Sequence, residues 1–408
     1  MATLRPILLI GHLIGAVLTT TLGCAGPAAT YASAAAPSAR SDEVDTSPRG
    51  LEAALRRSPA VRPFLDDETY RLQVLAAVPT PDGRSFARQG FRVDATYFYP
   101  ASTVKLCSAV AALELLTELR SDTSSGLDAE TPLHIDGGKL ATRTSVGAAV
   151  DSALVFSDNA AHNVLYDFVG QDGIHERMWR LGLDSTRIRH RLGVDASDDP
   201  RETPPAELQV TKVDSVVIPQ RTGRVRLGRN EMPGVLVGDE HLSGRSVVAA
   251  PMSFDLKNRV SLVDLQELLI AVVRPDLRAA ANRPRIGGEE RTVLLEALGA
   301  LPSDRGGNAA RDREHKPIRS GVARVIAPRD LVSYSKAGRA YGFVVDNAFF
   351  FDKRSGKGFF LAVAVYTNRN GRLDDNDYDY TDVAFPLLAA IGETIAREVL
   401  DGNEPSTD

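Results

Sequence analysis

Three short segments carry residue types able to make and break an acyl bond. Ser102-Thr103-Val104-Lys105 sets a hydroxyl and an amine three residues apart, which on a helix puts both on one face. Pro100, two residues earlier, presets an entry turn, so Ser102 stands at the N-terminus of the apolar run from Ser102 to Leu119. Unpaired backbone N–H groups and the positive end of the helix dipole meet there, where an oxyanion would develop. A lysine inside an apolar helix is held toward its neutral form, and a neutral amine can accept the serine proton. The plainer reading is a capping serine followed by a lysine whose stem snorkels to water.

The second segment is Ser157-Asp158-Asn159, just before a helical stretch, where it also reads as a helix N-cap. The third is Lys336-Ala337-Gly338-Arg339, leading into a strand, where it also reads as a turn with Gly338 supplying conformational freedom. Taken singly, each motif is common. Their order, spacing and setting make the set informative.

Together they resemble the signature set of class A β-lactamases and penicillin-binding proteins, the penicillin-recognising serine hydrolases. The resemblance runs in element order from about Leu51 to Asp401. It implies that Ser102 is acylated, that Lys105 helps to activate it, and that Ser157 relays a proton. It further implies that Asn159 contacts the substrate amide and Lys336 steers a substrate carboxylate. The N–H groups of Ser102 and Arg339, flanking Gly338, would form the oxyanion hole. Two departures bear on chemistry. Ala337 stands where the family's third motif has a hydroxyl residue, a loss worth about 1 kcal/mol of hydrogen bonding unless Ser335 or Arg339 stands in. No Glu-x-x-Leu-Asn segment follows Leu183 to Leu192, so the family's deacylating carboxylate is missing; Glu202 and Glu207 are the nearby candidates.

The elements that must position these residues follow from periodicity. Tyr70 to Val78 and Ser85 to Phe98 alternate apolar and polar residues around Pro79-Thr80-Pro81-Asp82-Gly83, a β-hairpin pattern. Ser102 to Leu119 is apolar on most sides, so a buried helix is expected. Val146 to Val155, Ala160 to Val169, Gly173 to Leu181 and Ser261 to Val272 continue in helical style. Strands follow at Asp330 to Ser335, Gly342 to Phe351 and Gly358 to Tyr366, then a helix from Tyr380 to Leu400. Strands from both ends around a helical middle predict an α+β fold with one antiparallel sheet built from the two chain ends, and the resemblance implies that this fold is of the β-lactamase/transpeptidase kind. Residues 190–258, rich in Arg, Gly, Pro and Asp, read as a long irregular insertion, at most holding a short hairpin, that rims the pocket.

The chain has 408 residues, with 43% hydrophobic and 25% charged content, and a net charge of -5. No basic stripe is present, which argues against nucleic acid as a partner. Seven dispersed histidines and two cysteines form no ligand-spaced pair, so neither a metal site nor another cofactor is expected. Cys107, inside the apolar helix, reads as a small buried hydrophobe.

Residues 1–24 carry Arg5 and then an apolar run from Pro6 to Leu18, the layout of a secretory signal; the run is short and broken by His12, which disfavours a retained membrane span. Ala32-Ser33-Ala34 offers an ordinary cleavage pattern, while Thr21-Leu22-Gly23-Cys24 resembles a lipobox that would tether the protein through Cys24. The location expected is therefore periplasmic, soluble or lipid-anchored. Residues 25–50 form a linker, 51–401 the hydrolase domain and 402–408 a tail. Three functions remain open: a β-lactamase-like hydrolase of an amide or ester, a D-alanyl-D-alanine peptidase of cell-wall metabolism, and a non-catalytic envelope protein. The substrate would be a β-lactam or a peptidoglycan-like molecule, and the protein a monomer.

Overall fold

The computed structural model describes residues 50–80, 85–123, 126–136, 142–194, 199–212 and 214–401. The segments read as signal, linker and tail lie outside these residues, Gly50 excepted, and Cys24 with them. At the centre is a five-stranded sheet of β1 (Gln73–Pro79), β2 (Phe86–Phe91), β3 (Leu331–Ala340), β4 (Phe343–Asp352) and β5 (Gly358–Tyr366). The strand order is β3-β4-β5-β1-β2, antiparallel throughout. The N-terminal strand β1 is thus interior, with Gln73 opposite Ala364 and Ala77 opposite Phe360. The sheet joins both ends of the chain, as the alternation of the terminal segments predicts.

Both faces of this sheet are covered, which is why β4 and β5 read as nearly unbroken apolar runs rather than alternating ones. Leu75, Ala77, Val345 and Ala362 face the helical middle. Val74, Ala76, Val344 and Val363 face the short helix Pro317–Val322 and the terminal helix. The middle is built on α1 (Lys105–Thr123), α2 (Val146–Val155), α3 (Asn159–Val169) and α4 (Leu262–Val273), and the chain closes with α5 (Phe385–Asp401). Helix α1 is buried on most sides: Leu106, Ala109, Val110 and Leu113 are all within 2% exposure, and Cys107 packs among them as a hydrophobe. Burial pushes its thiol up to about 12 and so keeps it inert.

Several boundaries differ from the sequence expectations. The second hairpin strand stops at Phe91, because Arg92 and Asp94 turn into the left-handed region and end the ladder. Ser102 does not begin an α-helix but sits in a 3-10 turn, Ala101–Val104, ahead of α1. The last helix starts with a wide π-turn, Tyr380–Ala384, which delays its regular part to Phe385. Lys336-Ala337-Gly338 does not lead into a strand; it lies inside β3.

The 190–258 insertion is more regular than its composition suggests. Ala206–Gln209 pairs with Pro132–Ile135 and Ser215–Ile218 in a small four-stranded sheet. A hairpin, Glu240–Ser243 with Ser246–Val248, lies beside Arg372–Leu373. Helices Gly288–Gly299, Ala309–His315 and Pro317–Val322 went unpredicted.

Candidate active site

The three motifs, far apart in sequence, converge. The Ser102 turn is entered through Ala101, a non-glycine residue held at φ 46°, a costly conformation kept by its surroundings. Ser157 is likewise left-handed at φ 57°, and Asp158 then caps α3 by accepting the Ala161 N–H at 2.7 Å. The capping reading of that motif therefore holds for Asp158, which frees Ser157 and Asn159 for other partners.

Lys105 is fully buried at the start of α1. Its Nζ donates to the Ser157 carbonyl, to Ser157 Oγ at 3.3 Å and to Asn159 Oδ1 at 2.8 Å. From the other side Lys336 Nζ donates to Ser157 Oγ at 3.0 Å and to the Ala337 carbonyl at 2.7 Å. Two lysines thus share one serine hydroxyl. Burial lowers the Lys105 ammonium to about 7, opposed by nearby Asp158. Lys336 is lowered well below its ordinary range, by burial first and then by the charges of Lys105 and Lys316.

Gly338 explains how β3 reaches the nucleophile. A Cβ on it would lie 2.9 Å from Thr103 N and 3.0 Å from the Pro100 carbonyl oxygen, and nearer still to Ser102 N. Only glycine permits the strand to press against the turn that carries Ser102. Arg339 follows on β3; its guanidinium pairs with Glu314 at 3.0 Å and stands over the Phe385 ring. The Ser335 hydroxyl accepts from Lys316 Nζ at 3.3 Å, so it is engaged there rather than standing in for the hydroxyl missing at Ala337.

Ser102, Asn159 and Arg339 open onto a cleft of about 400 Å³ that Leu192 and Gly193 also line. Asn163 fixes that loop by accepting the Leu192 N–H at 2.9 Å and donating to its carbonyl at 3.0 Å. Glu202 and Glu207, the two candidates for a deacylating base, are elsewhere. Glu202 belongs to a two-residue strand paired with Arg221–Thr222 and accepts from Gln220, and Glu207 is exposed opposite His134.

Residues 88–218 match the model of the β-lactamase enzyme family. Among solved structures the chain resembles a β-lactamase from Desulfarculus baarsii at 19% identity, covering 85% of this chain and 97% of that one with a TM-score of 0.49. It resembles the extended-spectrum β-lactamase TLA-1 at 13% identity, 86% and 100% coverage and a TM-score of 0.50. PBP-A matches at 14% identity, 87% and 98% coverage and a TM-score of 0.50. The chain has the β-lactamase fold. Comparison with curated protein sequences gives no match.

Within that β-lactamase-like frame, sequence reasoning missed several residues. His162, three positions after Asn159, is fully buried, and neither ring nitrogen has a partner among the described residues. Burial, then Lys105, His190 and Lys336, hold its imidazole neutral, down to about 3. Tyr99, Tyr341, Tyr378, Tyr380 and Asp374 line the cleft, contributed by segments that carry no motif. The spacing of tyrosines in Asp377-Tyr378-Asp379-Tyr380 was the only available signal. Among the described residues no group of three His, Cys, Asp or Glu side chains is placed to hold a metal ion.

Proposed function

We propose that the protein is an exported serine acyl-transfer hydrolase that forms an acyl-enzyme through Ser102 and releases it slowly. The observation that carries this reading is the convergence of Lys105 and Lys336 on Ser157 Oγ, beside a cleft that Ser102 lines. Neutral Lys105 takes the Ser102 proton as Oγ adds to the substrate carbonyl. The oxyanion is met by the Ser102 and Arg339 N–H groups, which Gly338 brings together. Ser157 passes a proton from the lysines to the departing amine or alkoxide, and the acyl group remains on Ser102. Lys336 meets the substrate carboxylate, and Asn159 its amide.

Hydrolysis of the acyl-enzyme needs a base for water. Leu192 and Gly193 line the cleft at the loop that Asn163 clamps. The sequence after Leu192 departs from the family's Glu-x-x-Leu-Asn segment, and this departure supports a persistent adduct, as in a D-alanyl-D-alanine peptidase inhibited by penicillin, over rapid β-lactam hydrolysis. Export is supported by the pattern of residues 1–24. No helix among the described residues is long and apolar enough to cross a membrane. The mass of the mature N-terminus would separate cleavage after Ala34 from lipidation of Cys24.

The test is labelling with a fluorescent penicillin, followed by mass spectrometry over time. An adduct on the wild type, absent from Ser102→Ala and lasting many minutes, supports the reading. No adduct with penicillins or generic ester probes overturns it, and turnover within seconds overturns the slow release.

A further inference from the structure

The end of β3 is held by the start of the terminal helix. Ala340 and Phe343 form the last pair of the β3–β4 ladder, one residue beyond Arg339, and only Tyr341 and Gly342 make the turn between them. Both are left-handed, at φ 55° and 80°, as the two-residue turn that follows the twist of a hairpin requires. Glycine takes that conformation freely. Tyrosine takes it at a cost that contacts from outside the turn must offset.

Two contacts clamp Gly342. Its N–H, which lies outside the ladder, donates to Tyr380 Oη at 2.9 Å. Its carbonyl accepts the Thr367 N–H at 2.7 Å, just past the end of β5. The second contact is backbone to backbone, whereas the first depends on one side chain. Close by, the Arg339 guanidinium stands 5.6 Å from the centre of the Phe385 ring, at the first residue of α5.

The terminal helix itself belongs to the other side of the sheet. Leu387, Leu388 and Ile391 pack there with Val344 and Val363, yet Tyr380 lines the cleft beside Ser102. The π-turn Tyr380–Ala384 reconciles the two. Each residue advances about 100° round a regular helix, so the extra residue of a π-turn re-aims what precedes it relative to the helix that follows.

We propose that Tyr380 is a positioning residue for acylation: by accepting the Gly342 N–H it fixes the β3–β4 turn, and through it the Arg339 N–H that meets the oxyanion. The inference rests on the reading of Ser102 as nucleophile and adds to it a part played by the terminal helix. Without the Tyr380 hydroxyl the turn is clamped on one side only, and the strained Tyr341 relaxes and draws the end of β3 with it. A positioned reaction loses about 100-fold for a displacement of 1 Å, so even a fraction of that shift is measurable.

The test is Tyr380→Phe, which removes the hydroxyl and keeps the ring against Tyr378 and Phe385. Varying the concentration of a fluorescent penicillin separates its binding (Ks) from the acylation step (k2) in wild type and variant. The expected result is a fall in k2 of about tenfold with Ks within about twofold, and faster hydrogen exchange at the Gly342 amide. A k2 within about twofold of wild type overturns the proposal. So does a loss carried by Ks, which would mean that the hydroxyl holds the ligand directly. Unchanged exchange at Gly342 overturns it as well, since the turn would then be held without Tyr380. The two readings fail in different ways. A wild type that labels beside a variant that labels equally fast removes the role of Tyr380 alone, and a wild type that never labels removes the nucleophile and this role with it.

Discussion

Replacing Gly338 with alanine adds one methyl group where the strand of the third motif touches the turn of the first. The nearest atoms are all backbone, Ser102 N first, then Thr103 N at 2.9 Å and Pro100 O at 3.0 Å, so no side chain can swing aside. Ordinary contact begins near 3.4 Å, and β3 must retreat from Ser102 by roughly 0.5–1 Å. Overpacking of this size costs about 1–3 kcal/mol of stability. The larger effect is on chemistry, because the retreat carries the Arg339 N–H away from the Ser102 N–H. A misplacement near 1 Å lowers a positioned reaction about 100-fold. The assay is the second-order rate of Ser102 acylation by a fluorescent penicillin, read beside urea unfolding. Gly228→Ala is the control, since nothing lies within 4 Å of its added Cβ. Acylation of Gly338→Ala at the wild-type rate would refute the assignment of β3 as the wall of the oxyanion hole.

Other outcomes follow from the same geometry. Burial holds Lys105 near 7, so the neutral amine that accepts the proton gains as pH rises. The acylation rate should climb up to about tenfold per pH unit below 7 and level above it; a flat profile from pH 5.5 to 8.5 would contradict Lys105 as base. Lys316, buried behind the sheet, donates to the Ser335 carbonyl and hydroxyl and lies near buried Asp346, whose carboxyl burial pushes up. Lys316→Met should cost about 3 kcal/mol in urea unfolding by orphaning these groups, whereas Arg397→Ala, which breaks an exposed pair with Glu393, should cost under about 1 kcal/mol. Asn163→Ala removes both hydrogen bonds to the Leu192 backbone and should cost about 2 kcal/mol. Hydrogen exchange at Leu192 should rise with it; unchanged exchange would mean that the loop is held by other contacts.

The sheet and the turn that carries Ser102 were legible because each rests on local signals that agree. Alternation marks β1 and β2, apolar continuity marks β4 and β5, and Pro100 marks the turn before Ser102. What escaped depends on contacts between distant segments. The 3-10 turn at Ala101 and the left-handed Ser157 exist because β3 and the lysines hold them, and no propensity of Ala or Ser announces that. The strands of the insertion are two to four residues long, below the length at which alternation can be read. Ala309–His315 and Pro317–Val322 are too short for a helical period to stand out, although Pro317 occupies the first-turn position such a helix favours. The capping explanation for Ser157-Asp158-Asn159 does not exclude the catalytic one, since Asp158 alone makes the cap and its neighbours accept from Lys105.

The interior position of β1 governs when the protein can become a protein. Gln73 finds its partner Ala364 about 290 residues later, so the sheet cannot close until almost the whole chain has been synthesised. Until then one edge of the N-terminal hairpin waits unpaired, and any chain ending before Tyr366 leaves it exposed to aggregation. The delay also keeps a long stretch of polypeptide loose behind its leading end. Under the export proposed above, threading through a narrow channel before folding would suit a sheet whose closing strand arrives late.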